Sequence, residues 1–111
     1  MMQISFTARR FHARPELQTH ALDSIRKLAR FYDGIVHADV ILSYEGATKN
    51  IKVAELNLQV HGVLLSGKEK TDSFHKSIDA VVEKLSTQLR KYKSKLRAKN
   101  KTKVRALQEK V

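Results

Sequence analysis

The sequence predicts a single α+β domain of order β-α-β-β-β-α, a four-stranded sheet with two helices packed on one face. Three observations predict it. Four short segments alternate apolar and polar residues with period two, and two longer ones repeat apolar residues at helical spacing. The 111 residues that carry them suffice for one modest core and not for two.

"QISFTA" (3–8) puts Ile4, Phe6 and Ala8 on one face, a half-buried strand. "RRFHAR" breaks the alternation, and Pro15 stands where a first helical turn tolerates it. Leu17, Ala21, Ile25, Leu28, Ala29 and Tyr32 follow at helical spacing, giving an amphipathic helix of about four to five turns. Asp33-Gly34 ends it, with glycine as the left-handed exit. "IVHADVILSYE" (35–45) alternates with Val36, Ala38, Val40, Leu42 and Tyr44 on one face. After the loop "GATK", "NIKVAELNLQVH" (50–61) turns Ala54, Leu56, Leu58 and Val60 inward. His61-Gly62 is a tight hairpin turn, and "VLLSGKEK" (63–70) is a fourth strand weakened by Gly67. These three strands form an antiparallel meander. "TDS" (71–73) supplies N-cap residues for the second helix. There Phe74, Ile78, Val81, Leu85, Leu89, Tyr92 and Leu96 recur at intervals of 4, 3, 4, 4, 3 and 4, one continuous apolar stripe. The domain is expected over 1–97, followed by a flexible basic tail over 98–111.

Several function classes are excluded at this level. The chain has no cysteine, hence no disulfide scaffold, thiolate metal site or cysteine nucleophile. No apolar run approaches the ~20 residues of a membrane span. "MMQISFTARRF" lacks the apolar core of a signal peptide, so a cytoplasmic protein is expected. Histidines 12, 20, 37, 61 and 75 form no i,i+4 pair, and the four glycines form no phosphate loop. Glu55 reads as a solvated carboxylate on the sheet face. No catalytic residue, cofactor, metal site or small-molecule substrate is predicted, and an enzyme is not expected.

Charge points elsewhere. The net charge is +11, but residues 1–83 hold eleven Lys/Arg against ten Asp/Glu, whereas 84–111 hold eleven against Glu109 alone. A solvated helix face usually mixes signs so that i,i+4 pairs form, yet no acid lies between Lys84 and Gln108. Like charges at i,i+4, such as Lys91 and Lys95, destabilise by a few tenths of a kcal/mol each. A repulsion left unrelieved implies a polyanionic partner. A helix from Ser73 to Arg97 spans ~37 Å, against ~27 Å for an eight-residue strand, so its basic end overshoots the sheet. The residues assigned to anion binding are Lys84, Arg90, Lys91, Lys93, Lys95 and Arg97 on this helix, with Lys27 and Arg30 on the first. Arg9, Arg10 and Arg14 after the first strand and Lys68 and Lys70 on the fourth support them. The apolar stripe is needed to cover the sheet, which favours phosphate over a membrane surface. The order of elements is close in outline to double-stranded-RNA-binding folds, so structured RNA leads.

The residues also resemble the ribosome hibernation promoting factor family, also called ribosome-associated inhibitor or sigma-54 modulation proteins. The likeness covers residues 2–97 and rests on "KLARFYDGI", "DVILSYE", "SID" (77–79), "EKL" (83–85) and "QLRKYKSKL" (88–96), in this order and spacing. The resemblance implies a domain that binds the small ribosomal subunit between head and body. There it overlaps mRNA and the A- and P-site tRNAs and holds 70S or paired ribosomes inactive in stationary phase or stress. It implies 16S rRNA phosphate contacts for Lys84, Lys91, Lys93, Lys95 and Lys27; Arg90 is assigned from charge alone. Thr87 stands where the family usually has Arg, and Phe74 and His75 replace its usual Met and Tyr. The basic tail and the lack of a C-terminal dimerisation domain make the likeness one to the short promoting type, which works with a separate ribosome modulation factor. The alternative is a general structured-RNA-binding module not dedicated to the ribosome.

Overall fold

The computed structural model describes residues 2–109 except 33 and 49, with side chains through Lys95. Its elements are β1 (Gln3–Ala8), α1 (Pro15–Phe31), β2 (Ile35–Glu45), β3 (Ile51–Val60), β4 (Val63–Thr71) and α2 (Phe74–Glu109). The expected order is the observed one. The sheet runs β1-β2-β3-β4, with β1 parallel to β2 and the other pairs antiparallel. The register aligns Ile4 with Ala38, Val40 with Leu56, and Leu58 with Leu65, so the predicted inward residues share one face. Both helices cover that face: α2 lies over β3 and β4, and α1 lies beside α2 and against β2. Ala38, Val40, Leu42, Ala54, Leu56, Leu58 and Val60 are buried against Ile25 and Leu28 of α1 and Ile78, Val81, Leu85 and Leu89 of α2. No helix among the described residues is long and apolar enough to cross a membrane.

Four local expectations need correction. Val36 is 50 % exposed rather than inward, because a bulge between Ile35 and His37 sets two residues of β2 against one of β3. Ile35 is buried in its place. Tyr44, also expected inward, is 38 % exposed at the far end of β2. The exit of α1 is not a left-handed glycine: Tyr32 leaves the helix extended (φ −146°, ψ 112°), and Gly34 has no positive φ. Space favours glycine at 34 instead, since a Cβ there would sit 2.6 Å from the end of the Tyr32 ring, which would have to swing aside. Gly67 is likewise a packing site, where α2 comes so close to β4 that a Cβ would lie 2.6 Å from Leu85 Cδ2. The His61-Gly62 hairpin turn is as expected, with Gly62 at φ 71°.

The start of α2 is fixed by hydroxyls. Thr71 Oγ1 accepts from the Ser73 amide (3.1 Å). The fully buried Ser77 donates to the Lys52 carbonyl (2.7 Å) and lies 2.7 Å from Thr71 Oγ1. This joins α2 to β3 and β4 at one point, and removing a partner strands a buried polar group. Ser77→Ala is expected to cost about 1–3 kcal/mol, read as a lower urea midpoint at unchanged m-value.

Candidate nucleic-acid interface

The flanks of α2 are set by its stripe. With Ile78, Val81, Leu85 and Leu89 turned to the sheet, 3.6-residue periodicity sends Lys84, Gln88, Lys91 and Lys95 to the β4 side. The contacts agree. Lys84 Nζ lies 3.7 Å from Glu69 of β4, and Gln88 donates to the Ser66 carbonyl on the free edge of β4 (3.0 Å). Lys91 and Lys95 continue this row, exposed. Arg90 and Lys93 lie on the other side, facing α1. Lys93 Nζ is 4.9 Å from the centre of the Phe31 ring and 5.7 Å from that of Tyr32, and the Arg90 guanidinium is 5.9 Å from Phe31. The basic helix therefore carries two rows, not one patch.

Lys93 is held in place. It donates to the Phe31 carbonyl (3.3 Å) at the C-terminal end of α1, where orphan carbonyls and the helix dipole favour a cation. Tyr92 closes the same corner against Tyr32 at 6.0 Å, edge to face. Lys93→Ala is therefore expected to lower stability by about 0.5–1 kcal/mol in thermal unfolding. Lys91→Ala, which removes no contact, should leave it unchanged.

Acids neutralise part of the basic surface and leave the Phe31 end unmatched among the described residues. Among the described residues, Arg26 pairs with Asp23 (3.2 Å), Lys68 with Glu55 (3.8 Å), Lys70 with Glu45 (2.9 Å), Lys76 with Asp72 (3.3 Å) and Lys84 with Glu69. Each exposed pair stabilises little, but each cancels a charge. The Lys70 hydrogen bond also holds the Glu45 carboxyl below its usual pKa, with the charges of Lys70 and Lys68 adding to it. Lys27, Arg30, Arg90, Lys91, Lys93 and Lys95 have no acidic partner among the described residues, and all lie toward the end where α1 finishes and β2 begins. Arg90 and Lys93 stand over Phe31, an exposed aromatic ring (40 %), and Lys27 lines the groove beside it.

The sequence-assigned residues thus divide. Lys84 and Lys68 are ion-paired on the β4 edge. Arg9 and Arg10 follow β1, which runs parallel to β2, so they lie at the Glu45 end, opposite the Phe31 end. Arg97 and the tail expected over 98–111 fall outside the described side chains; the backbone of α2 continues through Glu109. Phe31 was not singled out by sequence, although an aromatic between Arg30 and Tyr32 at a helix end carries a usable signal. A groove of about 330 Å³ between the helices opens beside this cluster, its lining including Lys27 and Phe31 and the carboxylates of Asp79 and Glu83. Among the described residues no His, Cys, Asp or Glu cluster is arranged to hold a metal ion.

An open cationic end with an exposed ring is suited to phosphate and base contacts rather than to bond making. Known proteins of the same fold include a ribosomal subunit interface protein from Coxiella burnetii (24 % identical, TM-score 0.76, covering 85 % of this chain and 99 % of that one). The N-terminal domain of Thermus thermophilus Protein Y is similar too (24 %, TM-score 0.71, 83 % and 99 % covered). Among curated proteins, the ribosome hibernation promoting factor of Klebsiella oxytoca is 28 % identical over 96 residues, 86 % of this chain and 98 % of that protein. The ribosome hibernation promotion factor of Bacillus subtilis is 28 % identical over 85 residues, and the match spans 77 % of this chain and 45 % of that longer protein. The profile of the Sigma 54 modulation protein / S30EA ribosomal protein family matches residues 4–97, and this chain belongs to that family.

Proposed function

We propose that this protein is a ribosome hibernation factor. It binds 16S rRNA of the small subunit at the mRNA and A- and P-site tRNA channel, blocks translation by occupancy, and favours inactive 70S or paired ribosomes in stationary phase or stress. The observation that carries this reading is the group of six cations at the Phe31 end without acidic partners among the described residues, the larger of the two such groups. The names of the Klebsiella and Bacillus relatives and of the Coxiella neighbour support the ribosome as the anion. Residues 1–97 form the binding unit in the cytoplasm. The basic stretch 98–111 adds longer-range attraction, and a separate modulation factor completes pairing of ribosomes. Lys84 and Lys68 contribute by exchanging Glu69 and Glu55 for phosphate, and Arg97 adds a further cation.

Occupancy is tested by competition on purified 30S subunits. The protein should displace P-site tRNA in proportion to its own binding, and Lys91→Glu/Lys95→Glu should not. Simultaneous binding of protein and tRNA at saturation refutes the channel assignment. Equal affinity for 30S subunits and for an unrelated RNA duplex would favour the general structured-RNA module instead.

A further inference from the structure

Cations without acidic partners occupy both ends of the sheet. At the Glu45 end, Arg9, Arg10, Arg14 and Lys52 have none among the described residues. The eleven residues of β2 separate them from the Phe31 end by roughly 33 Å, too far to share one phosphate track with Lys91 and Lys95. Two acids of this end are already engaged: Glu45 by Lys70 and Asp72 by Lys76. Glu16, in the first turn of α1, is the remaining carboxylate beside the cavity.

Aromatic rings stand among these cations. Phe11 and Phe74 stack in parallel, centres 5.0 Å apart, and Tyr44 meets both edge to face at 5.1 Å. Phe74 is buried, whereas Phe11 is half-buried and Tyr44 is exposed. Lys52 Nζ lies 5.7 Å from the Tyr44 ring centre. A cavity of about 330 Å³ opens on Phe11 and Tyr44 and is lined also by Arg14 and Lys52. A second recess, about 550 Å³, lies on the other side of Tyr44 against Arg9 and Arg10. Arg10 is held at φ 63°, a left-handed conformation uncommon outside glycine. Phe11 also packs against the core, but the fold needs neither the exposed Tyr44 ring nor four unmatched cations in this place.

We propose that this end is a second RNA site, one that takes an unpaired nucleotide of single-stranded RNA. The base lies against Phe11 and Tyr44, and the flanking phosphates lie on Arg14 and Lys52 on one side and Arg9 and Arg10 on the other. Ring surface beside free cations holds single strands without sequence preference, because every base has a π-face and every nucleotide a phosphate. A duplex, whose bases are already stacked, gains nothing from the rings. The site rests on the RNA-binding part of the reading above and adds a place and a substrate class to it.

The probe is fluorescein-labelled heptaadenylate, followed by anisotropy at low salt against the full chain. In the Lys91→Glu/Lys95→Glu background, affinity should stay within about threefold of the unsubstituted protein. Adding Arg14→Glu and Lys52→Glu, both surface changes, should lower it at least about tenfold. The Tyr44 ring signals, assigned by Tyr44→Phe, should shift on titration. Loss of oligonucleotide binding in the Lys91→Glu/Lys95→Glu background overturns the proposal, as do unchanged affinity after Arg14→Glu/Lys52→Glu and unmoved Tyr44 signals. Equal displacement by a poly-glutamate peptide overturns it in favour of charge alone. Ribosome binding by Lys91→Glu/Lys95→Glu is read separately. If it persists, the helix assignment falls while the oligonucleotide result stands.

Discussion

Leu85→Ala is expected to lower unfolding free energy by about 2–5 kcal/mol. Leu85 is fully buried under α2 and faces Gly67 of β4, where the two layers approach most closely. The opposite change at the same contact is also destabilising. Gly67→Val brings a Cβ to within 2.6 Å of Leu85 Cδ2 and 3.5 Å of Val81 Cγ2, and overpacking of this kind costs about 1–3 kcal/mol. The two losses have a common cause, so they should not add. In Gly67→Val/Leu85→Ala the valine methyls enter the volume that the leucine leaves. The double variant should lie at least about 1 kcal/mol above the sum of the singles in urea unfolding. Additivity to within about 0.5 kcal/mol would mean that α2 does not sit on Gly67.

The second large effect concerns binding. Lys91→Glu/Lys95→Glu is expected to weaken association with small subunits by about two orders of magnitude near 0.1 M salt. Each phosphate contact contributes about 0.7–0.9 to the logarithmic salt slope, hence nearly a decade at that concentration, and the glutamates add repulsion. Both lysines are exposed and make no hydrogen bond or ion pair among the described residues, so thermal unfolding should move by no more than about 0.5 kcal/mol. Lys76→Glu is the control for charge alone. It removes one pair with Asp72 on the first turn of α2, far from Phe31, and should bind nearly as the unsubstituted protein does.

The contrast between these lysines shows what was legible in the sequence. Periodicity placed the inward face of β3 and the stripe of α2 residue by residue, because burial on one face leaves its period in the chain. It could not place Val36, since a bulge shifts the alternation without altering composition. It credited Gly34 and Gly67 with backbone freedom or weakness, whereas both answer to a side chain packed over them, Tyr32 two residues before and Leu85 of α2. The site was legible as a charge excess and not as a geometry. A search at i±4 finds no acid near Lys84, because its partner Glu69 lies across the helix–strand boundary. The removal of Arg9 and Arg10 from the main cluster likewise follows from the parallel pairing of β1 with β2, which no local pattern encodes.

The central claim is that unmatched cations at the Phe31 end hold the protein on the small ribosomal subunit. Co-sedimentation with purified 30S subunits across a salt series measures it most directly. Six phosphate contacts set a log–log slope of at least about 4 to 5 in magnitude, steeper as Lys84 and Lys68 also engage, and falling by about 2 in Lys91→Glu/Lys95→Glu. A slope near zero, or an unchanged slope and affinity in that variant, would contradict it.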